Sequence, residues 1–150
     1  MLVYRIVLRK YAHDMTGIGA ALHGGRWNKP GSPVMYTGES KEIALLELIV
    51  NTPPAIIPEL DILTIAIPDD SIQVLSLSDL PGSWMDYPAP SLLAEIAEKW
   101  IESNATIALK VPSCIIHSAS NYLLNCRHPA YARVTVQEHT SFRFDARLAK

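Results

Sequence analysis

The sequence has few cysteines and no long apolar run, and both shortages limit what the protein can be. Its only cysteines, Cys114 and Cys126, lack the paired spacing of a structural zinc site, so we interpret them as reduced, packed thiols. No apolar segment approaches the length of a membrane span. Basic residues interrupt residues 1–10, unlike the apolar centre of a signal peptide. We therefore expect a cytoplasmic protein that does not bind membranes.

Excess charge of either sign is also absent. Thirteen Lys and Arg against fifteen Asp and Glu give a formal charge of −2, without any block of like charges. Direct nucleic-acid binding is not expected, because binding to a phosphate backbone needs a basic patch or tail. The histidines are scattered and lack the i, i+4 pair of a zinc-enzyme helix, so no metal site is predicted.

What the chain does contain is enough apolar material for one core. Hydrophobic residues make up 49 % of its 150 residues and charged residues 19 %. A chain of this length buries about two thirds of its unfolded surface without disulfides or metals. We therefore predict a single compact domain over residues 1–150.

Local patterns predict the order of the secondary structure. β-branched and aromatic runs predict strands over 2–8, 34–37, 60–68, 72–75 and 105–111, and alternation predicts two half-buried strands near 134–136 and 142–144. Helical spacing predicts one helix over 40–51 and another that starts at Ser91. Residues 11–23 are interpreted as a loop with at most a helical turn, and 118–129 as a short helix or turns. This order favours an α+β domain with a mixed, largely antiparallel sheet and flanking helices.

One stretch combines features of an anion site. Gly24 and Gly25 allow a tight turn or a close approach to a ligand, and Arg26 follows with a fork of donors that suits phosphate or carboxylate. Tyr36 lies near the end of the next strand. Glu47 lies in the apolar helix after it, which we expect to be buried, so its carboxylate must be paired, protonated or open to a cleft.

Structural alternatives exist for each of these residues. Glu47 could form a buried ion pair with Arg26 or Arg5, Tyr36 could be core, and Ser113 could cap a turn. Arg5 lies inside the first strand, where an arginine usually extends its charged end to water. The alternative is that Arg5 contacts the same anion as Arg26. A triad of Ser113, His128 and an acid lacks the glycines of a nucleophile elbow.

Several motifs together resemble the RES domain family over nearly the whole chain. They are Gly25-Arg26-Trp27-Asn28, Val34-Met35-Tyr36-Thr37, Ala44-Leu45-Leu46-Glu47, Val111-Pro112-Ser113, Asn121-Tyr122-Leu123-Leu124-Asn125 and His128-Pro129. The arginine, glutamate and serine that name the family fall on Arg26, Glu47 and Ser113. The chain departs from the family at Cys126, where members commonly carry proline.

The resemblance implies an ADP-ribosyltransferase-like fold and the role of toxin in a bacterial type II toxin–antitoxin system. Known members consume NAD as a substrate, without another cofactor. Some hydrolyse it or use inorganic phosphate as co-substrate, and others transfer ADP-ribose to a protein. The implied partner is an Xre-type helix-turn-helix antitoxin, and a homodimer or a larger toxin–antitoxin complex is compatible with this. A catalytically silent binding module is the remaining alternative, against which the intact site residues argue.

The same resemblance implies residue roles. The catalytic set is Glu47, Arg26, Tyr36 and Ser113, and the NAD-binding set is Arg5, Arg26, Tyr36 and Asn121. Glu47 would stabilise positive charge on the ribose, the arginines would hold the diphosphate, and Tyr36 would offer its ring to nicotinamide. Ser113 would bond a ribose or a nicotinamide-side group. Bonds that hold a turn explain Asn121, Asn125 and His128 equally well.

Overall fold

One mixed sheet organises the protein. The computed structural model describes residues 1–53 and 59–149. Within them, seven strands lie in the order β4-β5-β6-β2-β1-β3-β7, and every neighbouring pair is antiparallel except β4 with β5. The elements are β1 (Leu2–Leu8), α1 (Ile18–His23), β2 (Val34–Gly38), α2 (Lys41–Asn51), β3 (Leu60–Ala66), β4 (Ile72–Val74), α3 (Ser91–Ser103), β5 (Ala108–Pro112), β6 (Ser120–Asn125) and β7 (Thr135–Phe142). The predicted α+β architecture is confirmed.

Helix α2 starts and ends as its sequence predicts, whereas α3 lacks the expected cap from Ser91, because Pro90 occupies the N-cap position and no side chain caps the helix. The side chain of Ser40 caps α2 by accepting a 3.2 Å hydrogen bond from the amide of Ile43, and Glu42 lies in the first turn. Helix α3 ends at Ser103, and the next residue, Asn104, has the left-handed conformation (φ 50°) common after helix C-termini. Apolar spacing therefore specifies both helices locally, and a side-chain cap adds to it in α2 alone.

Both helices cover the same face of the sheet. Leu93, Ala97 and Trp100 of α3 pack on β2, β5 and β6, while Ala44 of α2 packs with Ile6 of β1. The opposite face is covered by the sheet itself. One cluster there joins side chains of β3 and β5, although three strands separate these two in the sheet order. The sheet is therefore strongly curved, with an apolar concave side.

The sheet opens between β1 and β2. Strand β1 pairs with β3 along its whole length, and β2 pairs with β6 along its whole length. Between β1 and β2, by contrast, only Tyr4 and Gly38 are in register. Helix α2 packs against both strands beside this gap. The fold thus leaves a cleft inside the sheet, bordered by one helix.

Several expectations need correction. Residues 118–129 contain strand β6 instead of a helix or turns, because β6 lies between β2 and β5 and is buried on both faces, which removes any alternation. Near the C-terminus one strand, β7, replaces the two predicted ones, and it is mostly exposed at the edge of the sheet. Residues 11–23 include the short helix α1.

Helix α2 is less buried than its composition predicted. Only Ile43 and Ala44 are fully buried, and Val50 is 60 % exposed. Glu47, Leu48 and Asn51 line the open cleft, and Val50 lies outside it. Among the described residues, we find no helix with the length and apolar character needed to cross a membrane.

Candidate active site

The cleft between β1 and β2 gathers most of the predicted site residues. Its volume is about 570 Å³, and α2 and the glycine-containing segment 17–25 complete its walls. Five of the six predicted residues line it, each from a different part of the chain: Arg5, Arg26, Tyr36, Glu47 and Asn121. A pocket of this size suits a small-molecule ligand.

The carboxylate of Glu47 is held by two polar side chains. Its Oε1 accepts a 2.8 Å hydrogen bond from Nδ2 of Asn121 and a 3.3 Å bond from Oγ of Ser113. Within residues 1–53 and 59–149, no ion pair joins Glu47 to Arg5 or Arg26. The buried ion pair is therefore not formed, and a negative group lines the cleft without a cationic partner.

Ser113 stands behind Glu47 instead of in the cleft. It follows β5, is fully buried, and does not line the cavity. Its Oγ accepts hydrogen bonds from the amides of Ile115 (3.1 Å) and Ile116 (3.3 Å) while donating to Glu47. The expected direct bond from Ser113 to a ribose stays a prediction, and in this arrangement the hydroxyl bonds Glu47 instead. Its hydroxyl both holds the turn after β5 and orients the glutamate.

Tyr36 joins the cleft to the glycine-arginine turn. Its hydroxyl donates a 2.6 Å bond to Oδ1 of Asn28 and accepts a 3.1 Å bond from the amide of Trp27. Burial raises the pKa of Tyr36 to about 12, against the opposing effects of the Trp27 amide and the Arg26 charge. The phenol is therefore neutral at physiological pH.

The turn that carries Arg26 is compact. The backbone of Gly25 pairs with that of Asn28, and a Cβ on Gly25 would lie 2.7 Å from the Tyr36 hydroxyl. Asn28, only 2 % exposed, donates to the carbonyl oxygens of Ala20 (2.8 Å) and Ser32 (3.2 Å). Sequence reasoning missed this role of Asn28, although the residue stands inside the Gly25-Arg26-Trp27-Asn28 motif.

Arg26 also has an unforeseen contact. Its guanidinium donates to the carbonyl oxygens of Trp84 (2.9 Å) and Asp86 (3.2 Å), in the loop that precedes α3. Trp84 itself is buried and contacts the ring of His117 edge-on. Arg26 therefore lines the cleft and at the same time fastens a distant loop to its rim.

Arg5 points inward, contrary to the expectation that it extends to water. It lies half-buried on the wall of the cleft, where one guanidinium nitrogen donates a 3.1 Å bond to the carbonyl oxygen of Asp14. Burial lowers the pKa of Arg5, an effect that the charge of Asp14 opposes. A partly desolvated cation here would interact strongly with an anionic ligand.

Asn125 and His128 stabilise a turn away from the cleft. The buried amide of Asn125 donates to the carbonyl oxygen of Ile101 and to Oδ1 of Asn104, both at 3.2 Å, and accepts from the amide of Arg127. His128 bonds Asn104 and Ala130 through its two ring nitrogens. Turn-holding bonds thus account for this pair, and His128 is not placed for a serine triad. Among the described residues, no cluster of three potential metal ligands occurs.

Comparison with known proteins supports the resemblance. The RES domain family matches residues 2–145. A Yersinia enterocolitica protein named Toxin Res is 37 % identical over 151 residues, covering 99 % of each chain. A Sphingobium protein named Prs ADP-ribosylating toxin is 30 % identical over 143 residues, 93 % of this chain and 89 % of its own.

A solved structure supports the fold. A chain of the M. tuberculosis MbcT–MbcA toxin–antitoxin complex matches with a TM-score of 0.76 and 15 % identity, over 94 % of this chain and 83 % of that one. The two chains therefore share a fold. Given the match across residues 2–145 and the near full-length relatives, this chain belongs to the RES domain family.

Proposed function

We propose that this protein is the toxin of a toxin–antitoxin pair and that it degrades NAD by cleaving the bond between nicotinamide and ribose. One observation carries the proposal. Glu47 lines a cleft of about 570 Å³ with its carboxylate held by Asn121 and Ser113, and Arg5, Arg26 and Tyr36 line the same cleft. A negative group and two cations thus surround one cavity.

The carboxylate suits the chemistry of glycosidic cleavage. As nicotinamide leaves, positive charge grows on the ribose, giving an oxocarbenium-like transition state. A fixed carboxylate beside that charge stabilises the transition state more than the ground state, which is how electrostatic catalysis accelerates a reaction. Glu47 has this role, and it needs no covalent bond to the sugar. Nicotinamide departs as a neutral molecule with the electron pair of the broken bond.

The arginines suit the diphosphate. Arg26 uses two N–H groups on the carbonyl oxygens of Trp84 and Asp86, and a guanidinium has five such donors. The remaining donors are available to a phosphate oxygen. Arg5, whose charge is partly desolvated, attracts the same group from the β1 side of the cleft. The ring of Tyr36, held by its hydroxyl, contributes a flat surface for nicotinamide.

The acceptor of the ribosyl group is water or inorganic phosphate in this proposal. A second candidate is transfer of ADP-ribose to a protein, which is favoured by the name of the Sphingobium relative, an ADP-ribosylating toxin. For the toxin role, support comes from the relatives named Toxin Res and from the likeness to a chain of a toxin–antitoxin complex. We propose an antitoxin of the Xre type as the partner, as the family resemblance implies.

The test is incubation of the purified protein with NAD, with and without phosphate, while nicotinamide and the ribose product are followed. We expect nicotinamide release, reduced about 100-fold or more in Glu47→Gln, because the charge is removed with little change in volume. Glu95→Gln, at an exposed position of α3, serves as the matched control with the wild-type rate. Wild-type activity in Glu47→Gln would remove Glu47 from catalysis.

The products separate the candidates. Free ADP-ribose indicates hydrolysis, and a phosphorylated ADP-ribose that forms only with added phosphate indicates phosphorolysis. If nicotinamide is released only when a cell lysate is added, and labelled ADP-ribose stays on one protein, the transferase function replaces the proposed one. If nicotinamide is not released under any of these conditions, the catalytically silent binding module is the remaining candidate.

A further inference from the structure

The two donors that hold Glu47 converge on one oxygen. Nδ2 of Asn121 lies 2.8 Å and Oγ of Ser113 lies 3.3 Å from Oε1. In the part of the chain that the structure describes, the hydrogen bonds to this carboxylate reach Oε1 alone. The second oxygen, Oε2, therefore keeps its acceptor capacity.

The other end of the Asn121 amide argues against contact with a ligand. Its Oδ1 is buried and has no hydrogen-bond partner among the described residues. A buried acceptor without a donor is unfavourable. The reversed amide, however, would bring Oδ1 against Oε1 of Glu47, acceptor facing acceptor. The observed orientation is therefore set by the bond to Glu47, and it keeps Oδ1 away from any ligand in the cleft.

The backbone of Asn121 is fixed from both sides. Asn121 lies in β6, in register with Gly38 of β2 and Val111 of β5. A side chain on a strand between two others is held more rigidly than one on a loop. Glu47, in contrast, lies on α2, which borders the cleft and is only partly buried. The rigid sheet can thus determine where the carboxylate on the helix points.

We propose that Asn121 is a positioning residue, which anchors Oε1 of Glu47 and leaves Oε2 for the ribose, instead of being a direct ligand of NAD. The identity of the ligand rests on the proposed function. The anchoring of Glu47 by Asn121 does not depend on that function, because the hydrogen bond is present without a ligand. Ser113 supports the same oxygen at the longer distance, so Asn121 supplies the main restraint.

Steady-state kinetics with a matched pair of variants tests this assignment. Asn121→Ala should lower kcat at least about tenfold, as expected when a hydrogen bond to a charged group is lost, with KM and NAD affinity within about twofold of wild type. Glu95→Gln is the control, because Glu95 lies at an exposed position of α3 and does not line the cleft. We expect wild-type kcat there. A raised Kd for NAD with unchanged kcat in Asn121→Ala would make Asn121 a ligand contact and overturn the proposal.

A nearly isosteric variant guards against a simple folding defect. In Asn121→Asp, two carboxylates face each other at neutral pH and the anchoring bond is lost, so kcat should fall. At lower pH the pair shares a proton, the bond returns, and the activity relative to wild type should recover. The ratio of the two activities isolates the pair, because both proteins share the other titratable groups that line the cleft: Tyr4, Arg5, Asp14, Arg26, Tyr36 and Cys114. A ratio that stays constant with pH would contradict anchoring.

A measurement without NAD separates the two proposals. In ¹⁵N–¹H spectra, Glu47→Gln should shift the side-chain amide resonances of Asn121, while those of Asn28, whose Nδ2 bonds Ala20, should stay. If the wild type leaves NAD intact and the Asn121 resonances still shift, the proposed function fails and the anchoring stands. If NAD is consumed and they do not shift, the anchoring fails.

Discussion

The hydroxyl of Tyr36 donates a 2.6 Å hydrogen bond to Oδ1 of Asn28, which ties β2 to the turn that carries Arg26. The same hydroxyl accepts a hydrogen bond from the amide of Trp27, the residue after Arg26. The tyrosine thus fixes the backbone on the C-terminal side of the arginine. A change at Tyr36 should therefore act on the arginine as well as on the aromatic wall of the cleft.

Removing this hydroxyl tests the connection. Tyr36→Phe keeps the ring but leaves the Trp27 amide and Oδ1 of Asn28 without their partner. We expect the free energy of unfolding to fall by about 1–3 kcal/mol, the usual cost of a buried polar group left unpaired. Urea denaturation measures it. Tyr87→Phe, at a side chain that is 91 % exposed, should change stability by less than about 0.5 kcal/mol. Equal effects of the two substitutions would refute the structural role.

A methyl group at Gly25 should disturb the same contact. The Cβ of Gly25→Ala would lie 2.7 Å from the Tyr36 hydroxyl and 3.0 Å from Oδ1 of Asn28, and both atoms are restrained by their mutual bond. We expect destabilisation of about 1–3 kcal/mol, as for other overpacked sites. Gly19→Ala is the control, since nothing lies within 4 Å of its Cβ and Gly19 is in α1. That variant should be as stable as wild type or more so, by up to about 1 kcal/mol. Thermal unfolding of both proteins measures the contrast.

Arg26→Lys should loosen the loop before α3. Lysine keeps the charge but cannot reproduce the planar fork that reaches the carbonyl oxygens of Trp84 and Asp86. We expect the amides of Trp84 and Asp86, which are bonded inside this loop, to exchange about 5- to 30-fold faster with solvent, as for a loss of 1–2 kcal/mol. Hydrogen exchange read by NMR measures it, with α3 amides as the internal reference. Unchanged exchange in the loop would show that Arg26 does not fasten it.

Stability should depend on pH through Asp61. Nε2 of His139 lies 2.6 Å from its Oδ2 and Nε of Arg9 lies 2.9 Å from its Oδ1, and these hydrogen bonds hold the pKa of Asp61 below its usual value of 3.8. A lowered folded-state pKa stabilises the protein above the unfolded-state pKa, and this contribution is lost as the pH falls through the folded-state pKa. Wild-type stability should therefore decline below about pH 4 more steeply than that of Asp61→Asn. Urea unfolding across pH 3–7 measures both slopes, and equal slopes would contradict the pairing.

The local parts of the fold could be predicted from the sequence, and the non-local parts could not. Helix α2 is predictable because Ser40 caps it, and β1 because its β-branched run is continuous. Strand β6 was missed. It pairs with β5 and with β2, which lies far earlier in the chain. The residues around Tyr122 therefore give no local sign that both faces of β6 are buried.

In the candidate site, too, local features could be predicted from the sequence and non-local contacts could not. The motifs identify Arg26, Tyr36 and Glu47, and the structure places all three around one cleft. It could not be predicted which polar side chains bond Glu47, because Asn121 and Ser113 lie 74 and 66 residues from it in the sequence. The strand order β6-β2-β1 creates these contacts, and no local pattern encodes that order.

The opening of the sheet has a consequence for mutational robustness. Where β1 and β2 separate beyond the Tyr4–Gly38 pair, their peptide groups that face the gap have no strand partner in the described part of the chain. Residues of both strands line the cleft, so a molecule of suitable shape there would meet these groups as a further strand would. Recognition through peptide groups does not depend on side-chain identity. Binding of the proposed ligand through these groups would therefore tolerate many side-chain replacements around the cleft.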